Sequence, residues 1–256
     1  HSLQMAADGT VWLTLAFGNQ IAGFDPKTKQ WEIHALEEGL YPHTLRFDAR
    51  GRIWFSVAVS NHIGMLDRTT GKVTTIRLPA ASWQQEFALR ALPAFFWLAR
   101  HVDLGEVQAG EGMDLPVPYG VDVAPDGGVW FSQPNLHRIG RIDPDTLAVE
   151  MIDTPFTGPR RLRFDSKGRL WIPGFSADLV ARFDPKTREF ESWRLPTMPA
   201  GSETPYALNV DRRSDVFALG IVPAFAWLGL APLASAVVAP AFVKVDLNRR
   251  PVQHAE

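Results

Sequence analysis

The chain contains no cysteine. Disulfides, thiolate metal centres and a cysteine nucleophile are thereby excluded, while the redox compartment stays open. Neither sign of charge is in excess: 26 Lys and Arg stand against 28 Asp and Glu, a formal net charge of −2. That balance argues against a general nucleic-acid binder. No H-x-x-x-H, H-E-x-x-H, G-x-S-x-G, P-loop or G-x-G-x-x-G motif occurs. The first residue is His1 and no signal peptide is visible, so the start reads as processed, trimmed or fragmentary. What the chain does have is turn formers, with 20 Gly and 20 Pro, and a 46% hydrophobic content that suffices for a sizeable core.

Internal repetition decides the fold class. The segments GTVWLT, GRIWFS, GGVWFS and GRLWIP place Trp12, Trp54, Trp130 and Trp171 at separations of 42, 76 and 41. A second marker, GFDPKT, MLDRTT, RIDPDT and RFDPKT, places Asp25, Asp67, Asp143 and Asp184 each 13 residues after its tryptophan. Inside a unit the apolar period is two, which excludes helical solenoids. Asp-Pro-x-Thr is good turn chemistry, because Asp can accept from the backbone ahead and Pro presets φ. Four short strands per ~42-residue unit predict the blade of a β-propeller.

A fifth unit is expected from TPYALNVDRRSDVFAL, which aligns with VPYGVDVAPDGGVWFS and puts Phe217 at the tryptophan position. Its marker would be Asp246. The expected architecture is one all-β propeller domain over 1–256. It would have about five visible four-stranded blades (about 1–40, 41–79, 116–156, 157–197 and 203–254) and could form part of a seven-bladed ring. Two apolar inserts, about 80–114 and 220–241, interrupt it and carry the related hexads PAFFWL and PAFAWL. Strand direction places both on one rim. There they would form a lid, a surface for membrane or protein contact, or two helices packed on each other. The uncharged run 216–243 meets the length of a membrane span, but Pro223, Pro232 and Pro240 argue against one.

The innermost strand of each blade should begin at a fixed offset, eleven residues before the tryptophan column. His1, His43, Tyr119, Arg160 and Tyr206 occupy that offset and should converge at the channel mouth. Such a ring would suit an anionic or carbonyl-rich small molecule. His43 is the candidate general base, with Arg160 to steady a developing oxyanion and Tyr119 beside them. The plainer reading is that these side chains only fill and solvate the neck. His137 and Asn61, where third strands begin, are further ligand-facing candidates, although loop polar residues are usually just exposed. In the run Arg160–Arg161–Arg163, strand alternation predicts that Arg160 and Leu162 share one side and Arg161 faces away.

The stretch PYGVDVAPDGGVWFSQPNLHRIGRIDPDT (118–146) resembles the repeat of the virginiamycin B (streptogramin B) lyases. The likeness covers roughly 1–79 and 116–210. It implies a seven-bladed propeller that opens a cyclic depsipeptide lactone by β-elimination, with Mg²⁺ and a His/Glu site on one face. The glutamate that closes the family's Trp-Phe-Thr-Glu is replaced here by Leu15, Val57, Gln133 and Gly174, so the metal ligands stay unassigned. Three functions follow as expectations: a metal-assisted carbon–oxygen lyase, a gluconolactonase-like lactone hydrolase for which Asn61 and Asp178 are the loose candidates, and a non-catalytic binding or scaffold propeller with an apolar rim. For such propellers a periplasmic or extracellular address is favoured over a cytoplasmic one.

Overall fold

The computed structural model describes residues 2–101, 115–196, 204–210 and 216–218. His1, the insert 220–241 with its hexad, and Asp246 lie outside the described residues. Four antiparallel four-stranded sheets follow one another along the chain, each a simple meander. The first holds β1 (Leu3–Met5), β2 (Val11–Leu15), β3 (Gln20–Asp25) and β4 (Gln30–Ala35). The second holds β5 (Pro42–Phe47), β6 (Ile53–Val57), β7 (His62–Leu66) and β8 (Val73–Arg77). The third holds β9 (Val121–Val123), β10 (Val129–Gln133), β11 (Arg138–Ile142) and β12 (Val149–Asp153). The fourth holds β13 (Arg163–Phe164), β14 (Leu170–Gly174), β15 (Leu179–Asp184) and β16 (Glu189–Arg194). Two further strands, β17 (Leu208–Val210) and β18 (Val216–Ala218), pair antiparallel.

The register repeats with the sequence. Trp12, Trp54, Trp130 and Trp171 each pair with the residue eight positions earlier: Gln4, Arg46, Asp122 and Arg163. Phe217 pairs with Asn209 at the same offset. The inner strands β1, β5, β9, β13 and β17 touch in succession.

Packing between blades follows the tryptophan column. Trp12 sits with Leu45, Ile53 and Phe55 of the second blade, and Trp54 with Val121, Val129 and Phe131 of the third. Trp130 sits with Leu162, Leu170 and Phe183 of the fourth. Each large apolar side chain buried this way contributes roughly 1.5–3 kcal/mol. The other face of the first blade carries Leu3, Met5, Trp31 and Ile33, all exposed.

The marker aspartates do the turn work expected of them. The Oδ1 atoms of Asp25, Asp67, Asp143 and Asp184 each accept the backbone N–H two residues ahead. The first apolar insert contains a helix, α1 (Trp83–His101). Ser82 caps it, with Oγ accepting the Gln85 N–H while Gln85 Oε1 accepts the Ala81 N–H. Arg77 pairs with His62, so the chain leaves β8 toward α1 at the end of the blade where third strands begin. Trp83 and Phe87 of α1 are exposed. Among the described residues, no helix is long and apolar enough to cross a membrane.

Candidate functional site

Of the side chains that open the inner strands, His43, Tyr119, Arg160 and Tyr206 lie together. The rings of His43 and Tyr119 lie 4.4 Å apart between centroids. Tyr119 and Tyr206 are edge to face at 6.1 Å, and their hydroxyls hydrogen-bond. The Arg160 guanidinium lies 5.4 Å from the Tyr119 ring, 5.0 Å from Tyr206 and 3.6 Å from Phe175. Cation–π contact of this kind suits guanidinium, which is weakly hydrated. Arg160 has no carboxylate partner among the described residues, and its Nε is buried without an acceptor.

The geometry rests on one repeated staple. The second residue after each of the first three tryptophans is a buried hydroxyl: Thr14, Ser56 and Ser132. Each donates to the backbone carbonyl of the ring residue on the next blade. The distances are 2.9 Å to His43, 2.9 Å to Tyr119 and 2.6 Å to Arg160. Each hydroxyl also accepts an N–H from its own inner strand, at Ser2, Thr44 and Gly120. Gly120 is required here, since a Cβ would stand 2.6 Å from the Arg160 carbonyl oxygen. In the fourth blade Pro173 takes the hydroxyl position. Its junction with the fifth unit is made instead by a parallel bridge from Arg161 to Ala207.

Burial and the two arginines set the electrostatics. Desolvation, then the charges of Arg161 and Arg160, push the His43 imidazole down to about 4. Its Nδ1 lies 3.0 Å from Thr44 Oγ1, and the imidazole also hydrogen-bonds the Tyr119 backbone. Burial, then the Tyr206 hydroxyl, push the Tyr119 phenol up to about 12. Further down β9, burial pushes the Asp122 carboxyl up to about 6, against the opposing charge of Arg46 at 3.4 Å.

Arg161 departs from the expectation that it would face away. Its guanidinium lies 5.4 Å from the Tyr206 ring, and its charge reaches His43 and Arg46. The cause is local: Pro159 and Arg161 make only isolated bridges, and β13 begins at Arg163, so strand alternation does not govern this stretch. Phe175 was not among the sequence candidates. It follows β14 directly, at the position filled by Ala16, Ala58 and Pro134 in the other blades, so only its aromatic character in that column marked it.

Asn61 and His137 sit elsewhere. Asn61 is fully buried, donating to the Leu78 carbonyl and accepting from Gln133 Nε2 at 2.6 Å. Gln133 Oε1 in turn accepts from Arg138, which also donates to the Pro79 carbonyl, so the chain of bonds ties the second blade to the third. His137 is exposed, with Nδ1 3.0 Å from the Pro134 carbonyl oxygen and accepting the Gly158 N–H at 3.3 Å. A shared constraint explains both. Asn19, Asn61, His137 and Asp178 have φ of 54°, 59°, 51° and 53°, a left-handed turn position that Asn, Asp and His tolerate best.

Mg²⁺ takes an octahedral shell of oxygen ligands, usually one or two carboxylates with several waters. The ring supplies imidazole, phenol and guanidinium, and Asp122, further along β9, is committed to Arg46 and the Phe164 N–H. Among the described residues no group of three or more His, Asp or Glu is placed to hold a metal ion.

Set beside known structures, the architecture belongs to the β-propellers. A catalytically inactive virginiamycin B lyase from Staphylococcus aureus with quinupristin superposes with a TM-score of 0.67 at 20% identity, covering 87% of this chain and 64% of that one. A streptogramin B lyase structure gives 0.67 at 21% identity, covering 86% and 62%. A putative 6-phosphogluconolactonase from Bacteroides uniformis gives 0.57 at 15% identity, covering 86% and 63%. The chain thus spans under two thirds of the length of these propellers. No protein-family model matches the chain, and no curated protein matches its sequence.

Proposed function

We propose that this chain is a streptogramin B lyase-like propeller that binds a carbonyl-rich cyclic ligand, of the depsipeptide lactone class, over the cluster of Arg160, Tyr119, Tyr206 and Phe175. The observation that carries the reading is Arg160. A guanidinium without a carboxylate partner among the described residues, framed by three aromatic rings, is a ready donor for ester and amide carbonyls. The rings offer apolar faces to the rest of such a ligand. The similarity to a virginiamycin B lyase structure holding quinupristin supports this ligand class.

Binding ranks ahead of turnover on chemical grounds. β-Elimination needs a base that takes the proton α to a carbonyl, while the new C=C bond expels the ester oxygen as a carboxylate. Arg160 could polarise that carbonyl. His43 is 7% exposed, hydrogen-bonded to Thr44 and to the Tyr119 backbone, and weakly basic, so in this reading it positions Tyr119 and does not abstract the proton. Lyase activity is the second reading, favoured by the similarity to the lyase structures.

Calorimetry with quinupristin tests the first reading, and mass spectrometry of the same mixtures tests the second. Saturable binding to the native chain, weakened tenfold or more in R160A, supports the proposal. Absence of binding overturns it. A ring-opened product of unchanged mass would mark elimination, and one heavier by a water would mark a lactone hydrolase.

A further inference from the structure

The opposite end of the blades carries a cavity that the channel-mouth site does not use. Its origin lies in a module that two blades have and one lacks. In the second blade Asp48 Oδ2 accepts from Arg52 Nε at 2.7 Å and from Trp54 Nε1 at 2.9 Å. In the fourth blade Asp165 Oδ2 accepts from Arg169 Nε at 2.8 Å and from Trp171 Nε1 at 2.9 Å. The third blade has Ala124 at the aspartate position and Gly128 at the arginine position. Trp130 is 3% exposed, and its Nε1 is buried with no acceptor.

The first blade shares the deletion, with Ala6 and Thr10, and Trp12 Nε1 is likewise without an acceptor. There the next blade closes the gap: Arg68 lies 5.3 Å from the Trp12 ring and pairs with Asp8. The residue of the fourth blade that corresponds to Arg68, one past the marker aspartate, is Pro185. Pro185 cannot reach across, and a cavity of about 220 Å³ stays open, lined by Ala124, Trp130, Phe164 and Pro185. Lys167 and Lys186 also line it, and neither has a carboxylate partner among the described residues. The one acid in the lining, Asp126, is held by the Gly128 N–H and lies 3.6 Å from Arg141.

We propose that this cavity between the third and fourth blades binds a small organic carboxylate, whose carboxyl group takes the place that Asp48 and Asp165 fill in their own blades. Lys167 and Lys186 supply the cationic partners that Arg52 and Arg169 provide elsewhere, and the ligand carboxylate accepts from Trp130 Nε1, which has no exposed surface in the free chain and is uncovered as the ligand enters. A volume near 220 Å³ is room for about seven water molecules, which suits a di- or ketocarboxylate rather than a lipid or a peptide. The site lies at the far end of β9 from Tyr119, so it is independent of the channel-mouth ligand.

Succinate titrated into the native chain, followed by the indole N–H resonances in heteronuclear NMR, tests the proposal. The Trp130 signal, assigned by its loss in W130F, should shift saturably in the millimolar range or below. In A124D the built-in carboxylate should pre-empt that shift while raising the melting temperature. The pair K167Q/K186Q, which leaves Ala124 and Trp130 in place, should weaken succinate binding at least tenfold. An unmoved Trp130 signal overturns the proposal. So does an equal shift in A124D, or a response to inorganic phosphate with none to succinate.

Discussion

Ser132 Oγ donates to the Arg160 carbonyl oxygen at 2.6 Å, so a buried hydroxyl of the third blade fixes the residue that opens the fourth. The same bond recurs from Thr14 to His43 and from Ser56 to Tyr119. The serine of the Trp-Phe-Ser segment is therefore the joint that sets the spacing of the ring.

Removing that joint should loosen both fold and site. S132A leaves the Gly120 N–H and the Arg160 carbonyl short of a buried partner, a loss of about 1–3 kcal/mol by the usual cost of an unmade buried hydrogen bond. Urea denaturation measures it. S132T restores the hydroxyl that Thr14 already supplies in the first blade and should recover much of the loss.

Asp165 should be among the costliest single sites. Its side chain is fully buried and accepts from Arg169, Trp171 and two backbone N–H groups. D165A strands a partly buried guanidinium and an indole donor, and it should cost about 3 kcal/mol in the same denaturation experiment.

Asn61 tests whether its column serves geometry or ligand. N61A loses the bonds to Leu78 and Gln133 and also strains a φ of 59°, so about 1–3 kcal/mol of stability should go. N61G loses the same bonds but accepts the left-handed conformation, and it should be the less destabilised of the two.

His43 gives the fold a pH signature. Its folded value of about 4 lies below the ordinary imidazole value of 6.5. As pH falls from 6.5 to 4 the unfolded chain takes up a proton that the folded chain refuses, so stability drops across that window and levels off below it. Asp122 opposes this, since its raised carboxyl gains a proton in the folded state first as pH falls through about 6. The difference between the native chain and H43N isolates the imidazole: the variant should lose less stability between pH 6.5 and 4.

The fold was legible because its signals are periodic. Trp12, Trp54, Trp130 and Trp171 recur at one offset from their turn aspartates, and even Phe217 was placed by alignment, in the register the strands adopt. The convergence of His43, Tyr119, Arg160 and Tyr206 followed from the same offset. What period two could not show lay where the period fails. Arg161 turns inward because 159–162 is not regular strand, and Phe175 contributes from beyond a strand end. Asn61 looked like a ligand-facing polar residue because a left-handed turn and a binding loop select the same residue types. The unfilled slot beside Trp130 emerges only when Ala124 is compared with Asp48 and Asp165 in three dimensions.

The chain has three tyrosines, and the structure gathers Tyr119, Tyr206 and Tyr41 around His43 and Arg160. Fluorotyrosine labelling should therefore give three fluorine NMR signals that all report on the candidate site. Titration with quinupristin should shift the Tyr119 and Tyr206 signals saturably, and R160A should move the response to at least tenfold higher ligand concentration. Signals that stay fixed in the native chain, or shift equally in R160A, would contradict a ligand site built on Arg160.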